Sequence, residues 1–195
     1  MKMPCTRCHA LILPETAART GGLCMPCKSG TRAHIDAAKI AAERERELDA
    51  SDPFRIHWRQ LVARVVESSS GLAQLSEAEK QYWAVDRLFF EVHNGGFHQY
   101  FFNSPSEAYS AAVDGLTAMA ATTSLLLLQK AKQAIFGFAV VPIETITRRT
   151  ILIGAESDSL QERLNRLDAQ FWQDPDGIEG RIKAFALSRG LVRLT

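Results

Sequence analysis

Four cysteines spaced Cys5-x2-Cys8-x15-Cys24-x2-Cys27 constrain the start of this 195-residue chain more than any other feature. Two-residue gaps let each pair form a tight knuckle with both sulfurs turned toward one point. The longer gap leaves room for a hairpin that returns the second knuckle to the first, with Pro14 and Gly21-Gly22 as turn residues. Four thiolates suit a Zn2+ ion, which takes them tetrahedrally at about 2.3 Å. Two disulfides and a redox CxxC pair are the alternatives. Disulfides do not suit a reducing compartment, and neither pair sits in the strand–helix context of a redox site. His9 adjoins the first knuckle as a bystander to a shell that four cysteines already fill. Such a shell leaves no open position, so the spacing predicts a structural zinc and a metal-folded module over residues 1–34.

Charge narrows the partners. Residues 1–50 carry 8 Lys/Arg against 6 Asp/Glu, and residues 51–195 carry 15 against 16. Four thiolates on one zinc would nearly cancel the N-terminal surplus, so neither part is a polyelectrolyte. The first twenty residues hold no continuous apolar stretch of seven, and the longest aliphatic run is Leu125 to Leu128. A membrane span needs roughly 18 apolar residues. With all four cysteines in the first 27 residues, the expectation is a soluble, cytoplasmic protein with no membrane partner.

Beyond the second knuckle, Ser29 or Thr31 can cap a helix running to about Leu48. Its apolar positions are mostly alanines, so residues 35–50 read as a solvated helical linker, with Glu43 to Glu47 as a wet face. Asp52-Pro53 restarts the chain as a cap followed by proline at the first helical position. Phe54, Trp58, Leu61, Val62 and Val65 follow at helical spacing. Ser76 and Glu79 form a capping box ahead of Tyr82, Trp83, Val85, Leu88 and Phe89. Further helices are predicted from near Ser106, from Thr122 to Phe136, over Ile146 to Ile153, from Leu160 to Trp172, and after the Asp174-Pro175-Asp176-Gly177 break. Residues 137–143 read as a loop or a short strand. Alternating strand patterns are nearly absent, so the expected fold is all-α: a bundle-like helical domain over 51–195 with a small N-terminal zinc-binding module.

The most unusual stretch is Glu91-Val92-His93-Asn94-Gly95-Gly96-Phe97-His98-Gln99-Tyr100-Phe101-Phe102-Asn103. Asn94-Gly95-Gly96 ends a helix well, since these residues tolerate left-handed backbone. Phe97, Tyr100 and Phe101 then recur as in a short buried helix, while Asn94, Gln99 and Asn103 are amides able to bond loop backbone. The stretch reads either as an aromatic core corner or as a cleft with His93 and His98 as polar contacts. No nucleophile–base set, phosphate-cradling loop or HExxH accompanies it, and no catalytic residue is assigned.

This signature, EVHNGGFHQYFFNS, resembles that of the nineteen-kilodalton DNA-mimic protein family. The resemblance extends over roughly residues 55–190, including Leu167-Asp168-Ala169-Gln170-Phe171-Trp172. It implies an all-α fold and a homodimer. One activity described in that family is imitation of duplex DNA by surface carboxylates, which sequesters a transcription factor. The four-cysteine module is loosely similar to short zinc fingers of bacterial regulators.

A mimic must space carboxylates like phosphates, about one charge per 1.7 Å of duplex axis. The candidate surface is the stretch holding Glu156, Asp158, Glu162, Asp168, Asp174, Asp176 and Glu179 against only Arg163 and Arg166. The expected function is that of a non-enzymatic regulatory protein that binds a protein partner, such as a DNA-binding regulator. Two alternatives stand beside it. One is direct nucleic-acid binding through the finger, where Lys2, Arg7, Arg19, Lys28 and Arg32 outnumber Glu15. The other is an enzyme using the His93–Asn103 corner.

Overall fold

A computed structural model describes residues 1–67, 71–104, 106–155 and 157–194. The chain forms two compact units, Met1–Arg55 and Ile56–Thr195. In the first, β1 (Met3–Pro4) pairs antiparallel with β2 (Leu11–Ile12), flanking the first cysteine knuckle. The expected hairpin in the long gap is instead a helix, α1 (Pro14–Thr20). Pro14 pre-sets the first helical φ, Glu15 suits the positive helix start, and alanines favour propagation. Gly21 stops it in the left-handed region at φ 66°, donating its N–H to the Ala17 carbonyl. The return to the second knuckle follows at once, where α2 (Met25–Lys28) begins.

Helix α3 (Arg32–Ser51) buries none of its residues, in keeping with its alanine-rich pattern. The expected side-chain cap at its start is not formed; Ser29 and Thr31 bond each other's hydroxyls instead. Asp52 does cap α4 (Pro53–Glu67), accepting from the Phe54 and Arg55 N–H groups at 2.8 and 3.1 Å. Arg55 reaches back to Asp49 and Glu45 and ties this turn together.

The second unit is built on one long helix, α5 (Glu77–Asn103), opened by the Ser76–Glu79 capping box. Packed against it are α6 (Ser106–Ala118), α8 (Thr145–Gly154), α9 (Asp158–Phe171) and α10 (Ile178–Ser188), while α7 (Thr122–Phe136) joins α6, α8 and α9. The core face of α5 carries buried Tyr82, Val85, Leu88, Val92, Phe97 and Phe101, and the helices around it bury Leu116, Leu128, Leu164, Phe171 and Ile182. Trp58 of α4 stacks on Trp83 at 6.3 Å between ring centres. Residues 137–143 are a loop, not a strand, and leave Phe138, Val140 and Ile143 exposed. No helix among the described residues is long and apolar enough to cross a membrane.

One carboxylate on α5 opposes the fold at neutral pH. Burial, helped by the charge of Glu179, lifts the Asp86 carboxyl to about 6. Its folded value lies above the unfolded one, so the ionised form is the disfavoured one. The cost is absent below about pH 4, grows between 4 and 6, and is full above that. Asp86→Asn should stabilise the chain by about 1–2 kcal/mol at pH 7 and remove the wild-type gain on acidification from pH 7 to 5. Urea unfolding at the two pH values checks this, and an unchanged or lower midpoint at pH 7 would refute it.

Candidate metal centre and the motif corner

The four cysteines converge. Cys5, Cys24 and Cys27 are buried, Cys8 is half-buried, and their Sγ atoms all lie within 4.8 Å of one another. The Cys8 and Cys24 sulfurs are 3.6 Å apart, near the about 3.8 Å edge of a tetrahedron with 2.3 Å metal–sulfur bonds. Knuckle geometry supplies donors: Cys5 N–H bonds the Ala10 carbonyl, Thr6 N–H the Gly22 carbonyl, and Cys24 N–H the Cys5 sulfur at 3.2 Å. Backbone N–H groups, foremost that of Cys24, hold the Cys5 thiol down at about 6. The Arg32 guanidinium lowers Cys24, whereas burial and the neighbouring sulfurs push Cys27 up to about 12. Four sulfurs this close cannot all ionise without a cation among them. The donor set therefore could hold a metal ion, and among the described residues the apolar side chains packed on this cluster beyond the cysteines are Ile12 and Leu23.

The motif corner is a broken helix. Within α5, Gly95 (φ −163°, ψ 26°) and Gly96 (φ 74°, ψ −177°) leave helical geometry. Gly96 occupies a backbone region that is essentially glycine's alone. A Cβ there would also collide with the Asp168 carboxylate. The break strands backbone groups in the core, and α9 satisfies them. Asp168 Oδ1 accepts the Phe97 N–H at 2.8 Å, and Trp172 Nε1 donates to the Val92 carbonyl at 2.8 Å. These two side chains are four residues apart, one helical turn, so they face the break together. Between them Phe171 meets Phe97 edge-on at 5.3 Å. Burial raises the Asp168 carboxyl, and the Phe97 N–H opposes that rise.

The motif's amides serve the same break. Gln99 and Asn103 do not bond loop backbone as the sequence suggests. Both donate to Oε2 of Glu91, at 2.7 and 3.0 Å, and Arg87 pairs with its Oε1. Glu91 is only 2% exposed, so a carboxylate on one side of the kink gathers donors from both sides. Phe97, Tyr100 and Phe101 are buried, whereas Asn94 and Gly95 face solvent. His93 and His98 have different surroundings. His93 Nδ1 lies 2.8 Å from the Phe89 carbonyl, and His98 lines a shallow cavity of about 290 Å³ with Ser157, Asp158 and Gln161.

Of the seven candidate surface acids, Glu156 lies outside the described residues. Asp158, Glu162 and Glu179 are exposed. Asp168 is buried, and its place on a surface is corrected: the carboxylate is needed at the α5 break. Asp174 and Asp176 are partly buried because they hold helix starts, accepting from the Ile178 N–H at 2.7 Å and the Ser124 N–H at 2.6 Å. Sequence reasoning missed Arg148, which is 1% exposed. It donates to the Phe101 carbonyl at 2.8 Å and the Pro142 carbonyl at 3.1 Å, while Arg149 donates to Phe102 at 3.1 Å. These cations satisfy the negative end of α5. Backbone acceptors leave no sequence signal by which they could be found.

A family model described as DMP19-like protein matches residues 73–189, well over half of the chain. The chain belongs to the DMP19-like protein family. No curated protein and no solved structure gives a significant match. Both stretches that carry the sequence resemblance, EVHNGGFHQYFFNS and LDAQFW, lie within the matched DMP19-like region, and here they are the two halves of one staple. The cysteine module lies outside that region.

Gly96→Ala should cost about 3–5 kcal/mol, combining glycine-only backbone with a displaced Asp168. Asp168→Ala should cost about 2–3 kcal/mol by leaving a buried N–H without an acceptor. Chemical denaturation measures both, and losses under 1 kcal/mol would show that the break is not held this way.

Proposed function

We propose that this member of the DMP19-like family is a non-enzymatic regulatory protein that binds a DNA-binding regulator in place of DNA, working in a reducing compartment such as the cytoplasm. The family match over residues 73–189 carries this reading. It is supported by the way the motif's polar groups are engaged: Glu91, Gln99, Asn103 and Asp168 are bonded to one another, to Arg87 or to backbone, which suits a fold-building role better than a catalytic one. The carboxylates exposed to a partner include Asp158 and Glu162, one turn apart on α9, whereas Glu179 on α10 is exposed but paired with Lys183 at 2.7 Å. A separate depression of about 620 Å³ is lined by Val65, Leu72, Ala73 and Ala111 together with Glu107, Asp114 and Glu77, the last paired with Lys80 at 2.6 Å.

The cysteines hold a structural zinc in this reading. Binding worth roughly 10–16 kcal/mol in small zinc modules folds a segment with little apolar core of its own. Direct nucleic-acid binding by the finger is less well supported. Arg7 donates to the Cys27 carbonyl, Lys28 to the Arg19 carbonyl and Arg32 to a sulfur, so three of its five cations already have partners within the module. The chain pairs as a homodimer, and exposed Phe138, Val140, Ile143 and Ile146 give it an apolar run to cover.

Two experiments test these claims. In electrophoretic shift assays with a repressor from the native host, the chain should release labelled operator, and Asp158→Lys with Glu162→Lys should weaken release about tenfold or more. Failure to compete with DNA for any host regulator refutes mimicry, and tight operator binding by the chain itself favours the finger. Sedimentation should show a species of twice 21.6 kDa, which Val140→Glu converts to monomer. A monomeric wild type refutes the pairing.

A further inference from the structure

In a CxxC knuckle the first sulfur is normally held by backbone N–H groups two and three residues on. Cys5 follows this pattern, with N–H bonds from Arg7 and Cys8 besides that of Cys24. Cys24 cannot, because the residue two positions on is Pro26, which has no N–H. Only the Cys27 N–H remains from its own knuckle. The missing donor comes from outside: Arg32, the first residue of α3, places Nη2 at 3.3 Å from Cys24 Sγ. Its other arm, Nη1, meets Asp36 one turn along α3 at 3.4 Å, which orients the guanidinium. The side chain is 21% exposed.

We propose that Arg32 is a positioning residue of the cysteine centre, holding the Cys24 thiolate in place of the backbone N–H that Pro26 removes. This rests on the reading of the four cysteines as a metal centre. Four thiolates on a divalent ion leave a net charge of −2, which a guanidinium at one sulfur partly offsets. Arginine stays charged at every working pH, so the compensation is constant. The contact also joins metal to helix: α3 buries no residue of its own, and its first turn is tied to the module through this sulfur. Outer partners of this kind typically govern metal affinity by 10–100-fold.

The test uses the full chain, reduced and metal-free, titrated with cobalt(II) as an optical probe and then with zinc against a chromophoric chelator. Wild type should take one ion per chain with a tetrathiolate cobalt spectrum. No such spectrum overturns the metal reading, and the role of Arg32 with it. Arg32→Ala should keep the spectrum and stoichiometry but bind about 10–100-fold more weakly, with Arg32→Lys recovering part of the loss. Pro26→Ala restores an N–H at the vacant position. It should not weaken binding alone, and in the Arg32→Ala background it should bring the loss to within about threefold. With a normal wild-type spectrum, two results overturn Arg32 alone: Arg32→Ala binding within twofold of wild type, or a double variant as weak as Arg32→Ala. The double variant also separates a lost sulfur contact from general loosening, which an added N–H at residue 26 would not repair.

Discussion

The bond from Asp168 to the Phe97 N–H, 2.8 Å across 71 residues of sequence, is the contact on which the helical domain depends. A 27-residue helix interrupted inside the core would ordinarily leave several backbone groups stranded. Here the interruption lets the helix change direction so that Phe97, Tyr100 and Phe101 enter the core. Two groups at the end of α9 answer the break: the Asp168 carboxylate takes the N–H after it, and the Trp172 indole, at the helix C-cap, serves the Val92 carbonyl before it. Glu91 ties Gln99 and Asn103 across the same bend. Arg148 and Arg149 then close the far end.

This arrangement bears on chemistry. In this corner the Glu91 and Asp168 carboxylates, the Gln99 and Asn103 amides and the Trp172 indole are bonded within the protein, and Glu91 is sealed from solvent. The motif's bonded groups thereby act as a device for holding a shape, and in the function proposed above recognition falls to exposed side chains such as Asp158 and Glu162 of α9.

Much of the fold was legible from local signals. The Ser76–Glu79 capping box, the Asp52-Pro53 restart and the leucine run of α7 act over a few residues, and each element begins where these signals put it. The cysteine spacing likewise told which sulfurs would meet. Long-range polar bonds were not legible. Asp168, Asp174 and Asp176 look like members of an acidic surface because a sequence shows only charge density. In the fold all three accept backbone N–H groups at helix starts, two of them from distant elements. Arg148 was invisible for the converse reason: its partners are carbonyls, and these exist at every residue. The α1 helix was missed where proline and glycine suggested turns, although both residues also mark the ends of a helix.

The account's central claim is that the glycine break is a rigid, bonded joint and not an open cleft. Site-resolved amide hydrogen exchange at Phe97 tests it most directly. Held by Asp168 and buried, this amide should exchange only through global unfolding, as slowly as core amides such as Leu88 and Val92. In Asp168→Ala it alone of the three should accelerate by an order of magnitude or more relative to its neighbours. Rapid exchange at Phe97 in the wild-type chain, while the core stays protected, would contradict the account and return the motif to the standing of a site that waits for a ligand.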